Sequence, residues 1–227
     1  MEIKVLIACE FSGVVREEFR KRGHDAWSCD LLPSDTDNTW HFQQDVLEIL
    51  YDDCWEMLIA FPTCTYLCNS GVHLLHKDES RWQKMVEAAI FFRTLLCADI
   101  PKVIVENPVM HKYAIKHIGQ KQNQTIQPYE FGHDASKRTC LWLKGVFPLQ
   151  PTKLIKPTYR CKCGGKFEYE LGKYGCPGCC GDSGAARGVW GNQTPSGQNK
   201  LGPTKDRWKK RSKTYSGIAK AMAEQWG

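Results

Sequence analysis

Hydrophobic residues in the first 150 positions form short runs that alternate with amphipathic stretches. Apolar runs at residues 2–9, 26–29 and 55–60 predict buried strands. Between the first two, residues 14–22 place apolar side chains on one side at helical spacing, and Gly23 follows as a helix terminator. The order strand, helix, strand indicates the opening of an α/β fold with parallel strands.

The same pattern continues along the chain. A long helix is expected from about Ser80, where apolar residues recur at helical spacing up to Leu96, which we interpret as core packing. Further strands are expected at residues 103–105, 125–127 and 139–143, and shorter helices at 108–117 and 216–226. Residues 69–77 are expected to form a flexible loop. Pro148 and Pro151 mark a domain boundary.

Two strand ends carry the sharpest chemical signal. The run 55–60 stops at Pro62, which places Cys64 on the following loop, and the run 103–105 stops at Glu106, just before a second proline. Ligands of open α/β sheets bind beyond the carboxyl ends of strands, so one thiol and one carboxylate are offered to one crevice. Taken singly, Cys64 could be a buried structural thiol and Glu106 a surface acid or helix cap. Their occurrence together favours catalysis.

A nucleotide-type cofactor site is indicated near the start of the chain. Residues 10–13 form a turn after the first strand, where Gly13 lets the backbone approach a ligand. Asp30 ends the second strand, where an acid accepts from ribose hydroxyls, and Asp45 follows a short strand end. The alternatives are an ordinary turn with a surface Asp30, and Asp45 as the N-cap of a turn over residues 46–51.

Residues 151–207 have a different composition, with five of the twelve cysteines between positions 161 and 180. Two close pairs of thiolates, the first Cys161 and Cys163 and the second Cys176 and Cys179, suit a tetrahedral structural Zn²⁺ that stabilises a segment with little core. Cys180 could replace Cys179. A catalytic zinc is not expected, because no His-x-Glu precedes a Pro-Cys-x-x-Cys.

Charge is uneven along the chain. Residues 150–215 contain 14 Lys or Arg and 4 Asp or Glu, a net charge of +10, whereas the remainder carries −4. Aromatic side chains are interspersed among these basic residues, which suits a polyanion whose bases can stack. The alternative is a solvated lysine-rich surface.

Composition and the N-terminal residues indicate in which compartment the protein is expected. The chain is 42% hydrophobic and 25% charged, which is typical of a globular protein. No apolar stretch approaches the length of a membrane span, and the first residues lack the features of a signal peptide. We therefore expect a cytoplasmic protein with reduced thiols and no membrane contact.

Taken together, these motifs resemble the cytosine-C5 DNA methyltransferases. Phe11-Ser12-Gly13 is similar to the family's cofactor loop, and residues 61–64 to its Pro-Cys nucleophile loop. Glu106-Asn107-Pro108 is similar to its Glu-Asn-Val motif. The whole chain resembles more closely the short members often carried by bacteriophages, which would place it in a host cytoplasm. The resemblance covers residues 1–150 and 205–227.

The resemblance implies a Rossmann-like S-adenosylmethionine-dependent methyltransferase sheet with helices on both faces, in a catalytic domain of residues 1–150. It implies methyl transfer to C5 of cytosine in DNA through a covalent Cys64 adduct, with Glu106 acting at ring N3. Residues 208–227 would form a helix that packs back on this domain, and a monomer is favoured. The implied cofactor-binding residues are Phe11, Ser12, Gly13, Asp30, Asp45, Val46 and Pro62.

Three departures from the family pattern stand out. Thr63 precedes Cys64 where the family has proline. The Gln-x-Arg-x-Arg strand is not visible, so Gln127, Lys137 or Arg138 would replace its catalytic arginine, and we take Arg138. The target-recognition domain is absent, and the zinc-binding basic insertion of residues 151–207 stands in its place as the expected DNA contact.

Two rival functions remain open from the sequence. One is another thiol-dependent modification at C5 of a pyrimidine, in which a different one-carbon unit is transferred. The other is a non-catalytic nucleic-acid-binding protein that uses the zinc segment.

Overall fold

The computed structural model describes residues 1–51, 55–160, 166–167, 187–194 and 198–227. The strands are β1 (Lys4–Ala8), β2 (Asp25–Asp30), β3 (His41–Gln43), β4 (Met57–Ala60), β5 (Lys102–Pro108), β6 (Gln124–Ile126), β7 (Thr139–Lys144), β8 (Thr158–Arg160), β9 (Lys166–Phe167) and β10 (Arg187–Val189). The α-helices are α1 (Val14–Arg20), α2 (Ser80–Leu96), α3 (Lys112–Ile118), α4 (Arg207–Ser212) and α5 (Ser216–Trp226). Short 3-10 helices cover Val46–Glu48, Asn69–Leu74 and Pro128–Glu130. Among these described elements, no helix has both the length and the apolar character needed to cross a membrane.

The main sheet has seven strands in the order β3-β2-β1-β4-β5-β7-β6. Strands β1 to β5 are parallel, whereas β7 runs antiparallel to both β5 and β6. The chain winds outward from β1 to β3 on one side and from β4 to β5 on the other, so the strand order reverses between β1 and β4. Ligands of such sheets bind in the crevice beyond the carboxyl ends of the strands at this reversal.

The hydrophobic core lies on both faces of this sheet, which confirms the expected α/β fold. On one face, Leu6, Leu58 and Val103 pack with Met85 and Phe92 of α2. On the other face α1 packs against β1 and β2, and α5 packs against α1. The neighbouring residues on the same strands point to this second face and are equally buried. They are Val5, Met57 and Ile104.

Two compact units can be distinguished by packing. Unit 1 comprises residues 1–126, 138–150 and 214–227, and holds the seven-stranded sheet with α1, α2, α3 and α5. Unit 2 comprises residues 127–137 and 151–213, and holds α4 and a three-stranded antiparallel sheet of order β10-β8-β9. Residues 127–137 and α4 therefore group with unit 2. The functions expected for these ranges stay predictions.

Three local expectations were wrong. Residues 69–77 begin with the 3-10 helix Asn69–Leu74 instead of a flexible loop, and the backbone N–H of Asn69 donates to Val109 O at 2.8 Å. β5 continues through Pro108, because residues 106–108 pair with the start of β7. Consequently α3 begins only at Lys112, where the His111 side chain caps it by accepting from the Ala114 N–H at 3.0 Å.

Candidate active site

The two expected catalytic motifs lie at the ends of neighbouring strands, Cys64 on the loop after β4 and Glu106 near the end of β5. β4 and β5 are parallel and pair residue by residue up to Ala60 and Val105, so the Cys64 loop and Glu106 lie at the same edge of the sheet. The Asn107 side chain, which is fully buried, donates from Nδ2 to the carbonyl oxygen of Pro62 at 2.9 Å. This hydrogen bond links the loop after β4 to the end of β5. Cys64 itself is half-buried.

His111 fixes the other end of the Cys64 loop. Its backbone N–H donates to Leu67 O at 3.1 Å, and its Nε2 lies 2.9 Å from Tyr66 O. Because Nδ1 accepts from the Ala114 N–H, the ring proton resides on Nε2, which donates to Tyr66. The loop that carries Cys64 is therefore held on both sides of this residue, at Pro62 by Asn107 of β5 and at Tyr66 and Leu67 by His111.

A second thiol accompanies Cys64. The Cys68 sulfur lies 3.1 Å from Ser70 Oγ, and the backbone N–H of Cys68 donates to the carbonyl oxygen of Cys64 at 3.0 Å. The neighbouring Cys64 thiol is the largest cause that lowers the pKa of the Cys68 thiol below its usual range. The sequence motifs gave no reason to single out Cys68.

Arg138 immediately precedes β7, whose first residue Thr139 pairs with Pro108 of β5. Burial raises the pKa of the Cys140 thiol; the charge of Glu106 adds to this effect and that of Arg138 opposes it. Both side chains are therefore within electrostatic reach of one buried sulfur in unit 1.

The other two candidates for the missing arginine lie in unit 2. Gln127 Oε1 accepts from the backbone N–H of Lys137 at 3.1 Å. The Lys137 ammonium in turn donates to the carbonyl of Arg211 at 3.1 Å. Both side chains make these contacts within unit 2, whereas Arg138 belongs to unit 1. The choice of Arg138 stays a prediction.

The turn expected to approach the cofactor lies between β1 and α1. Gly13 is the N-cap of α1 and has φ of +69°, the left-handed region that favours glycine. A Cβ atom at this position would lie 2.3 Å from Thr36 Oγ1, so no larger residue fits without displacing that side chain. Phe11 and Ser12 are buried beside it.

Glu10 occupies the N-terminus of α1. One carboxylate oxygen accepts from the Val15 N–H at 2.8 Å and the Ser12 hydroxyl at 3.1 Å, and the other from the Arg16 N–H at 3.3 Å. Burial raises the pKa of Glu10. A helix N-terminus usually attracts a ligand phosphate, but here the protein's own carboxylate takes that place. The sequence pattern predicts only a turn at this position.

Asp30 and Asp45 both lie within electrostatic reach of Cys9, which directly follows β1. Burial is the largest cause that raises the pKa of the Cys9 thiol, and the charges of both acids raise it further. Asp30 accepts from the Leu32 N–H at 3.0 Å, and its own pKa is raised by burial. Asp45 accepts from the Leu47 N–H at 3.0 Å, which confirms the N-cap interpretation, and Val46 is buried behind it. The two acids thus gather at one strand end.

A buried arginine ties this region together. Arg16 is fully buried, although a charged residue on a surface helix would be expected in solvent. Its guanidinium donates to Ser28 Oγ at 2.9 Å and to Thr36 Oγ1 at 2.7 Å, and pairs with Glu17 at 2.7 Å. The loop that carries Thr36 is therefore held against the turn at Gly13.

The expected zinc ligands Cys161, Cys163, Cys176 and Cys179 lie outside the described residues, as does Cys180. Within the described ranges, no group of three or more His, Cys, Asp or Glu side chains could hold a metal ion. The zinc site stays a prediction from the cysteine spacing.

Unit 2 presents aromatic and basic side chains. The rings of Tyr129 and Trp190 stack in parallel with centroids 4.3 Å apart. The last turn of α4 carries three cations, and Trp208 on the same helix is 52% exposed. The cations are Lys209, Lys210 and Arg211. Apart from Tyr129, these side chains belong to the segment of residues 150–215, for which contact with a polyanion was predicted.

No protein-family model matches the chain, and no curated protein matches its sequence. Among solved structures it is similar to that of an E. coli protein described as a candidate DNA modification methyltransferase encoded within a prophage. The two share 14% sequence identity with a TM-score of 0.44, over 68% of this chain and 52% of that one. The match thus spans about half of that protein, and so loose a likeness carries no argument about activity.

Proposed function

We propose that the protein is a DNA cytosine-C5 methyltransferase that uses S-adenosylmethionine. One observation carries this proposal: the Cys64 loop and the end of β5 with Glu106 lie at the same sheet edge, joined by the Asn107–Pro62 hydrogen bond. A nucleophilic thiol and a carboxyl group on neighbouring strand ends are what addition to a pyrimidine requires. The seven-stranded mixed sheet is consistent with the methyltransferase fold that the sequence resemblance implies.

The residues around the end of β1 fit an adenosyl cofactor that has no phosphate. Asp30 and Asp45 would accept from ribose hydroxyls and from the adenine amino group, and Gly13 would allow close backbone approach. Glu10 supports the choice of cofactor, because its carboxyl group already accepts from the N–H groups at the N-terminus of α1 that a pyrophosphate would use. When bound, S-adenosylmethionine supplies an electrophilic methyl group.

The chemistry at the cytosine follows from the two side chains. The sulfur of Cys64 adds to ring C6, which makes C5 nucleophilic. Negative charge builds on the ring as the sulfur adds, and a Glu106 carboxyl hydrogen-bonded at N3 neutralises it by donating a proton. Arg138 would hold the base or its backbone beside Glu106. After transfer to C5 and loss of the C5 proton, Cys64 departs as the leaving group.

Unit 2 would contact the DNA. Its described residues present the cations of α4, the half-exposed Trp208 and the stacked Tyr129 and Trp190 rings. Phosphates bind Lys and Arg, and exposed bases stack on aromatic rings. So small a recognition segment suggests a short or relaxed target sequence. A base within a duplex must also flip out to reach Cys64, at a cost of a few kcal/mol.

The proposal is tested by covalent trapping. DNA that contains 5-fluorocytosine, incubated with the protein and S-adenosylmethionine, should form an adduct that survives denaturing electrophoresis and maps to Cys64. Cys64→Ser should form none, whereas Cys97→Ser, which alters an exposed thiol after α2, should trap normally. Tritium from the labelled methyl group should appear in unmodified DNA. A wild-type protein that binds DNA but forms no adduct would refute the proposal and favour a non-catalytic binder.

A further inference from the structure

Arg81, at the start of α2, lies against the turn that carries Cys64. The central carbon of its guanidinium group is 4.8 Å from the centroid of the Tyr66 ring. Tyr66 is the second residue after Cys64, within a turn in which the Cys64 carbonyl oxygen accepts from the backbone N–H of Leu67 at 3.1 Å and of Cys68 at 3.0 Å. One cation of unit 1 is therefore held directly beside the proposed nucleophile loop.

The Arg81 guanidinium has donors without acceptors. Its Nε is buried, and within the described ranges no atom accepts a hydrogen bond from it. An aromatic ring attracts a cation to its face, but it does not supply the acceptors that the N–H groups of an arginine require. Buried donors are nearly always paired in folded proteins, because an unpaired donor lowers stability. The unpaired Nε beside the candidate site therefore points to an anionic ligand.

The acid that interacts with Arg81 is already engaged. Asp78 Oδ1 accepts from the backbone N–H of Ser80 at 3.0 Å and from its hydroxyl at 2.7 Å. These hydrogen bonds lower the pKa of Asp78, and the charges of Lys84 and Arg81 lower it further. Asp78 thus acts on Arg81 through space, and the hydrogen-bonding capacity of the buried Nε stays unused.

Lys112, at the start of α3, repeats the arrangement. Its Nζ lies 5.0 Å from the centroid of the Tyr113 ring. That ring packs edge-to-face against the ring of Trp82, which directly follows Arg81, with the centroids 4.9 Å apart. The starts of α2 and α3 therefore each hold a cation against an aromatic ring, and the two helix starts are in contact.

The charge around α3 suits a polyanion. Residues 107–129 contain three lysines, Lys112, Lys116 and Lys121, and no Asp or Glu, a net charge of +3. This contrasts with the net charge of −4 that the chain carries outside residues 150–215. A guanidinium group binds phosphate through two parallel hydrogen bonds, and an ammonium group binds it as a point charge. The phosphates of a nucleic-acid strand fit both kinds of cation.

We propose that Arg81 binds a phosphate of the substrate DNA strand next to the target nucleotide, and that Lys112 contacts another phosphate of that strand. This inference rests on the proposed function. Arg81 is a positioning residue in this proposal, because the Tyr66 ring fixes its guanidinium group relative to Cys64. A strand anchored at Arg81 presents its base to the Cys64 sulfur. Phosphate contacts carry no sequence information, so Arg81 should act on every target sequence alike.

DNA binding at several salt concentrations tests the contact. Arg81→Gln should raise Kd about tenfold or more near 0.1 M salt, and should reduce the steepness of the plot of log binding constant against log salt concentration by about 1. Arg81→Lys keeps the charge, so it should keep the slope and lose part of the affinity. Arg93→Gln removes an exposed cation from the last turn of α2 and should change neither. Unchanged Kd and slope in Arg81→Gln would overturn the proposal.

Adduct formation with 5-fluorocytosine DNA in a single turnover tests the positioning role. In Arg81→Gln the DNA concentration that gives the half-maximal rate should rise by about the same factor as Kd. The rate at saturating DNA should also fall several-fold, because the base is less often held at the sulfur. Tyr66→Leu should lower this saturating rate but keep the salt slope, since the cation remains. Saturating rates equal to the wild type in both variants would overturn the positioning role alone. A wild type that forms no adduct would refute the proposed function, whereas the binding experiment still decides whether Arg81 contacts DNA.

Discussion

Gly13→Ala should damage the cofactor turn more than its backbone strain alone can explain. Gly13 and Gly23 flank α1 and both have positive φ, +69° and +82°. An alanine in the left-handed region costs about 1–2 kcal/mol at either position. A Cβ at Gly23 would meet no atom within 4 Å, whereas one at Gly13 would lie 2.3 Å from Thr36 Oγ1. Gly23→Ala is therefore the matched control.

The added cost at Gly13 comes from Thr36. Its hydroxyl accepts from the buried Arg16 guanidinium at 2.7 Å, and it must leave that position to admit the new methyl group. Loss of a hydrogen bond to a charged group costs about 1.5–3 kcal/mol. Gly13→Ala should thus lower the free energy of unfolding by about 2.5–5 kcal/mol, against about 1–2 kcal/mol for Gly23→Ala.

This difference is measured by urea denaturation of Gly13→Ala, Gly23→Ala, Thr36→Ala and the double variant Gly13→Ala/Thr36→Ala. Thr36→Ala already loses the hydrogen bond, so the double variant should be less destabilised than the sum of the singles by about 1.5–3 kcal/mol. Calorimetry should show weaker S-adenosylmethionine binding in Gly13→Ala but not in Gly23→Ala. If Gly13→Ala matches Gly23→Ala in stability, or if its effect adds to that of Thr36→Ala, the steric reasoning is wrong.

Three further predictions follow from other parts of the molecule. The pKa of Glu10 is raised in the folded protein, so the free energy of unfolding should fall as the pH rises from about 4.3 through the folded pKa. Glu10→Gln should flatten this fall. Urea titrations at several pH values that show the same slope in the wild type and in Glu10→Gln would contradict this prediction. Charge reversal of Lys209 and Lys210 should weaken DNA binding and reduce the steepness of the plot of log binding constant against log salt concentration by about 2. Charge reversal of Lys21 and Lys220 in unit 1 is the control and should change neither. If the Lys209 and Lys210 variant has the same slope as the wild type, α4 does not contact DNA. The purified protein should contain about one zinc per chain that Cys161→Ser and Cys176→Ser remove; metal analysis that finds no zinc in the wild type would reject the site.

The strands and main helices were predictable because each buries a continuous apolar pattern. Leu6, Leu58 and Val103 lie in short apolar runs that only a sheet covered on both faces can bury. The candidate site was harder to predict from the sequence, because its supporting contacts join residues far apart in the chain. Nothing near Asn107 indicates that its amide binds the carbonyl of Pro62, 45 positions earlier. Likewise, only the folded turn after β4 reveals that Cys68 contacts Cys64.

One polar segment was misjudged for a related reason. Residues 69–77 contain glycine and polar side chains, which favour a loop, but the contact of Asn69 with Val109 orders the first part as a 3-10 helix. Long-range packing there overrode a weak local preference. Glu10 does lie in the turn expected at residues 10–13, but a turn alone does not indicate that its side chain accepts from the first N–H groups of α1.

The packing of α1 against α5 joins distant parts of the chain, and it has a consequence during protein synthesis. Arg22 of unit 1 contacts Glu224, which lies 202 positions later in the sequence. A ribosome adds roughly 5–20 residues per second, so the α5-facing side of α1 waits about ten seconds or more for its partner. Throughout that delay the nascent chain displays uncovered apolar surface, which makes it a substrate for chaperones that bind such surface.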